Sequence, residues 1–238
     1  MQRVNALAQD LARNRSGILN IVSSPSVGQS FIPQAMAQFR RQFPGCKLTF
    51  ACHSYEHLGE RLFNHQADLG IISLPMTHPN LEVVPLCQNR LVCALPYNHP
   101  LAGKAVLSLD DLVDADMIGY GNDTPLGRMI GLYCQREQKE LSYVVEVGSP
   151  QNAGSLVAMG VGLALVDEFT VRSWAGSHPL WVRPLRDAPV LQANLVHLRY
   201  EPLSQLTQSF IAVLREQVRQ QGFHAAPVAQ PCAEAASH

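Results

Sequence analysis

Apolar runs of strand length alternate with segments of helical period along nearly the whole chain. That alternation narrows the fold more than any other feature of the sequence. Residues 18–22 form a strand-length run followed by a polar turn over residues 23–28. Ile32, Ala35, Met36, Phe39 and Phe43 then mark one helical face, ended by Pro44 and Gly45. The unit repeats. A strand is predicted over 47–51, a helix carrying Leu58, Leu62 and Phe63 behind a Ser54 cap, and a strand over 69–74. Further strands are predicted at 91–95, 117–120, 141–147, 163–166, 181–185 and 193–198. Helices are predicted at 109–113, from Thr124 with Pro125 at its first position, from Ser149 to Met159, and over 203–220. Such alternation predicts an α/β fold with mostly parallel sheets.

The chain has 238 residues, enough for one large domain or two small lobes with separate cores. Its net charge is -1, and a chain built to hold DNA or RNA by itself usually carries a basic excess. No apolar run approaches the roughly 18 residues of a membrane span. The start, Met1 to Asn5, lacks the apolar core of a signal peptide, so a cytoplasmic protein is expected, with no membrane partner. The six cysteines are too sparse for a disulfide scaffold, and no CxxC pair points to zinc. Residues 2–15 are polar with Val4, Leu7, Ala8 and Leu11 at helical spacing, as at the end of a helix entering from elsewhere. Residues 223–238, rich in Ala, Pro and Gln, read as a disordered tail.

Open parallel sheets bind ligands beyond the carboxyl ends of their strands, so the strand-to-helix turns hold the candidate site. Three of them share a chemistry. The first offers Ser23, Ser24 and Ser26, the second Asn122, Asp123 and Thr124, and the third Ser149, Gln151 and Asn152. Ser73 ends a fourth strand. Each turn leads into a helix N-terminus, where free N–H groups attract an anion. Converging, they would make a polar cleft for a small carboxylate or zwitterion; singly, each hydroxyl only caps its own helix. Asp167 sits at a strand end on the same side. It either meets an ammonium or hydroxyl of a ligand, or caps the helix that follows.

Other features carry less. His53 and His57 have i, i+4 spacing beside Cys52, without the carboxylate pattern of a metal site. Gly160 and Gly162 lie between a helix and a strand, the wrong order for a dinucleotide fingerprint, and fit a helix end with close packing. Asp110, Asp111, Asp114 and Asp116 read as a solvated face. No GxSxG, P-loop or paired catalytic carboxylates appear. No catalytic residue, cofactor or metal is therefore expected.

The order of several segments resembles the effector-binding domain of LysR-type transcriptional regulators. These are GILNIV at Gly17 to Val22, Ile32 and Pro33, Phe39 with Phe43 and Pro44, and ADLGII at Ala67 to Ile72. LVCALP at Leu91 to Pro96, HPLA at His99 to Ala102, and LVAMGVGLAL at Leu156 to Leu165 follow. The similarity spans about residues 17–220. It implies a two-lobed, periplasmic-binding-protein-like (type 2) fold. Lobe I would comprise 17–94 and 194–222 and lobe II 95–193, hinged by strands near 91–97 and 189–195. Residues 1–16 resemble the end of the family's linker helix. The family's N-terminal winged helix-turn-helix is not among these residues, so DNA would be met only through that head.

The resemblance places effector-binding hydroxyls at Ser24, Ser26 and Ser73, with Val27 beside them, and a second-lobe loop at Asn122 to Thr124. Where many members end the LVAMGVGLAL strand with proline, this chain has Asp167. That is similar to members sensing amino acids and opines. The implied effector is an amino acid, an opine-like compound or an organic acid. The implied assembly is a homodimer through effector domains, pairing residues 32–43 and 47–52 with 125–138, and a tetramer in the full-length protein. A transport-type solute receptor of the same fold, or an α/β enzyme, are the other readings of the pattern.

Overall fold

The computed structural model describes residues 16–74, 76–174 and 180–225. The expected linker helix at 2–15 and the tail beyond 225 lie outside the described residues. Ten strands are described. The path runs β2 (Gly45–Cys52), β1 (Ser16–Ser23), β3 (Leu69–Ile72), β9 (Val190–Leu198), β4 (Leu81–Pro96), β7 (Leu163–Asp167), β5 (Met117–Tyr120) and β6 (Tyr143–Val147). β8 (Leu180–Pro184) and β10 (His224–Ala225) pair with β4. The helices are α1 (Pro25–Gly28), α2 (Phe31–Gln42), α3 (Tyr55–Phe63), α4 (Pro125–Arg136), α5 (Pro150–Ala158), α6 (Glu168–Ser173) and α7 (Gln205–Gln220).

Three parallel strands, β2-β1-β3, form one end of the path and three more, β7-β5-β6, the other. Between them β9 and β4 run antiparallel to their neighbours. β4 joins the two halves. Its residues 81–90 pair with β9, and Leu91–Pro96 pair with β7 and β8. The exchange falls between Arg90 and Leu91, and β9 enters the first half from Val190. By hydrogen bonding, residues 91–94 thus pair within the second half and 190–193 with the first, close to the expected limits at 94/95 and 193/194, while the Leu191 side chain packs in the core of the second half. The first ten residues of β4 escaped the pattern because Glu82, Pro85, Gln88, Asn89 and Arg90 interrupt its apolar residues. The ladder accommodates Pro85 by a register shift between Pro85 and Cys87, where a missing N–H is tolerated.

The first half has helices on both faces. Leu19 and Ile21 meet Phe31, Phe39, Phe210 and Leu214 of α2 and α7, while Val22 and Ile72 meet Leu58 and Leu62 of α3. The second half buries Ile118, Leu165, Ile130, Tyr133 and Val157 together. Side chains cross over in both directions: Leu74 and Leu191 are buried in the core of the second half. Phe169 of α6, which follows β7, is wholly buried in the core of the first half. Its ring lies 5.5 Å from Phe31 and 4.7 Å from Phe223. Phe223 is therefore core rather than the start of a loose tail. A lone phenylalanine after Gly222 gives no periodic signal. The expected polar turn at 23–28 also changes: Pro25–Gly28 is one helical turn with Ser26 and Val27 buried. Gly160 closes α5 at φ +79, and a Cβ on Gly162 would lie 2.4 Å from the Asp116 carbonyl oxygen, so both glycines serve the close packing expected of them.

Candidate functional site

A cavity of about 440 Å³ opens where the two halves meet. The first half lines it with Ser24, Ser26, Tyr55 and Ser73, and the second with Tyr120, Asp123, Thr124, Arg128 and Asp167. Each group sits at or just past the carboxyl end of a strand or in the first turns of the helix that follows, as an open parallel sheet requires. Leu74, Leu126 and Leu191 supply apolar wall.

On the first-half wall four hydroxyls share one centre. Ser26 Oγ donates to Ser73 Oγ at 2.6 Å, and Ser24 Oγ and Tyr55 Oη each lie 3.3 Å from the same atom. The Ser73 amide donates to Ser24 Oγ at 3.2 Å. Ser24, Ser26 and Ser73 are buried. A hydroxyl proton rotates, so this cluster can turn donors toward an acceptor without moving the backbone.

The second-half wall is different. Thr124 Oγ1 accepts from the Gly127 amide at 3.0 Å and donates to the Gly121 carbonyl at 2.8 Å, so it caps α4. A Cβ on Gly127 would lie 2.3 Å from that same carbonyl oxygen, so only glycine lets α4 start this close to β5. Arg128 lines the cavity and donates from Nη1 to the Asp123 carbonyl at 2.9 Å, a bond that uses only part of its guanidinium's five N–H donors. Asp167 is 3% exposed and caps α6, accepting from the Thr170 amide at 3.0 Å and the Thr170 hydroxyl at 2.9 Å. Burial pushes its carboxyl above the usual carboxylate range, against the bonds from Thr170 that hold it down. Tyr120 is buried with its hydroxyl unpartnered among the described residues. Burial, and then the neighbouring Asp167 charge, push that phenol well up.

The remaining expected residues lie elsewhere. Val27 is in the core of the first half. Asn122 is exposed, and its carbonyl accepts from Arg128. Ser149 caps α5 through the amide of the exposed Asn152, at 3.3 Å. Gln151 spans the two halves instead: its Nε2 donates to the Pro25 carbonyl at 3.0 Å. Sequence reasoning did not select Tyr55, Tyr120 or Arg128. Tyr120 ends an apolar strand and Arg128 lies inside a helical face, so neither stands in a polar turn. Among the described residues, no group of three His, Cys, Asp or Glu side chains is placed to hold a metal.

Two α/β halves joined by crossing strands, with a polar cavity between them, define an effector-binding domain of the type 2 periplasmic-binding-protein-like class. The model of the LysR substrate binding domain matches residues 12–219, and the chain belongs to that family. It is 29% identical over 210 residues to the transcriptional activator protein LysR of Escherichia coli K12, covering 88% of this chain and 67% of that one. Two solved structures align at TM-score 0.75. One is the regulatory domain of CcmR from Synechocystis PCC6803 in complex with 2-PG, at 24% identity, covering 84% of this chain and 97% of that one. The other is the effector-binding domain of BenM with its effector benzoate, at 22% identity, covering 88% and 96%. At these identities the likeness shows the fold.

Proposed function

We propose that this domain senses a small carboxylate or amino-acid-like metabolite, bound between its two halves acting as lobes. The observation that carries the reading is the hydroxyl cluster around Ser73, facing Arg128 across a 440 Å³ cavity. Ser24, Ser26, Ser73 and Tyr55 can donate to one carboxylate oxygen set, and Arg128 has free donors for the same group. Benzoate in BenM and 2-PG in CcmR occupy domains of the same fold, in line with an anionic ligand. Binding would favour one lobe arrangement and so bias a DNA-binding head elsewhere in the protein, in the cytoplasm.

Calorimetric titration with a panel of organic acids and amino acids tests this. Saturable binding should weaken about tenfold in Ser24→Ala and in Arg128→Ala, the loss of one good hydrogen bond to a charged group. Binding indifferent to both variants would sink the site. We also propose the antiparallel dimer that pairs α2 and β2 of one copy with α4 of the other. Leu132, Tyr143 and Val144 leave an exposed apolar surface on α4 and β6 for such a contact. Light scattering that shows only monomer at high concentration would overturn that assembly.

A further inference from the structure

The charge around the cavity is unbalanced. Among the described residues its lining carries three carboxylates, Glu56, Asp123 and Asp167, against one guanidinium, Arg128. Glu56, Asp123 and Arg128 are exposed, so water and salt screen them. Asp167 is buried and screened far less. No Lys, Arg or His among the described residues forms an ion pair with it. Its oxygens accept from the Thr170 amide and hydroxyl and are faced by further backbone N–H groups of the same helix turn, all of them neutral donors. Tyr120 lines the same cavity and feels the Asp167 charge, and its buried hydroxyl has no partner among the described residues.

A buried charge without a counter-ion and a buried hydroxyl without a hydrogen bond are both unfavourable. One ligand group answers both. An ammonium brings a positive charge for Asp167 and up to three N–H donors, one of which can reach the Tyr120 oxygen. A second carboxylate in that place would meet repulsion that burial leaves poorly screened. We infer that the ligand of this cleft carries a protonated amine, seated on Asp167 and Tyr120, in addition to the acid group held by the hydroxyl wall. The inference rests on the ligand-binding reading of the same cavity and narrows its ligand class to amino acids in the broad sense.

The experiment is a matched calorimetric panel near neutral pH. Alanine, lysine and 5-aminopentanoate are each compared with the same acid lacking one amine, and with the acid bearing a hydroxyl in its place. The best amine should bind about tenfold or more tighter than both of its counterparts. Asp167→Asn keeps a residue that caps helices well and should erase that preference. Tyr120→Phe removes only a hydroxyl and should weaken the amine severalfold while leaving the counterparts unchanged. Acids without an amine that bind as tightly, and are weakened by Ser24→Ala, would overturn this inference and leave the ligand-binding reading standing. Amine binding unchanged in Asp167→Asn would overturn it too. No saturable binding of any panel member at millimolar concentration would overturn both.

Discussion

The two walls of the cavity are built from the same kind of position, yet they differ in how far their polar groups are satisfied. On the first-half wall, Ser24, Ser26, Ser73 and Tyr55 hydrogen-bond one another and are neutral. On the second-half wall, Asp167 is bonded only within its own helix turn and Tyr120 has no partner among the described residues. A self-satisfied network holds its shape without a ligand. A buried carboxylate without a counter-ion beside a buried hydroxyl without a partner holds unfavourable free energy that a ligand can relieve. The first wall is thus preorganised, and the second rewards the right occupant. Specificity should reside mainly in the second.

The strongest way to break this contrast is from behind. Phe169, two residues beyond Asp167, anchors α6 in the core of the other half. Phe169→Ala should cost about 3–5 kcal/mol, as for other large buried aromatics, and lower Tm by on the order of ten degrees. Thermal unfolding followed by circular dichroism checks it. A drop of only one or two degrees would mean that the second wall is not held by the first half's core. A milder test compares one hydroxyl on each wall. Ser73→Ala removes the shared centre of three hydrogen-bonding hydroxyls and should cost about 1–3 kcal/mol. Tyr120→Phe removes a hydroxyl with no partner and should be neutral or slightly stabilising. Denaturant unfolding of the pair measures the difference, and equal costs would erase the distinction between the walls.

Much of this was legible in the sequence where chemistry and chain position coincide. The turns after β1 and β3 announce Ser24, Ser26 and Ser73 because polar residues there interrupt apolar runs. Thr124 and Pro125 announce the start of α4 in the same way, although the Thr124 hydroxyl turns out to be spent on its own helix. The pattern does not distinguish a cap from a ligand group, since both want a hydroxyl at the same place. Tyr55, Tyr120 and Arg128 were not legible. They belong to regular elements, and only the packing of one half on the other brings them to the cavity. Gln151 shows the converse. It stands in a polar turn, but its amide bridges to Pro25 some 126 residues away, a contact fixed by the tertiary arrangement alone.

The smallest expected effect is the most direct measure of the unsatisfied wall. Burial raises the Asp167 carboxyl above its usual range, so the folded state holds that proton more tightly than the unfolded chain does. The stability linked to the extra proton is fully present below the unfolded-state pKa and is lost as pH rises through the folded value. Above the folded value the ionised group therefore costs stability. Asp167→Asn keeps the α6 cap and removes the charge. It should be more stable than the parent at pH above the folded-state value. That advantage should shrink as pH falls toward 4, roughly the ordinary carboxylate range. Urea unfolding of both proteins across this range isolates the effect, because every other carboxylate titrates in both. An advantage independent of pH, or a variant less stable at neutral pH, would show that the carboxylate is already compensated in the ligand-free domain. The two walls would then be alike in energy, and the preference for an amine would lose its physical cause.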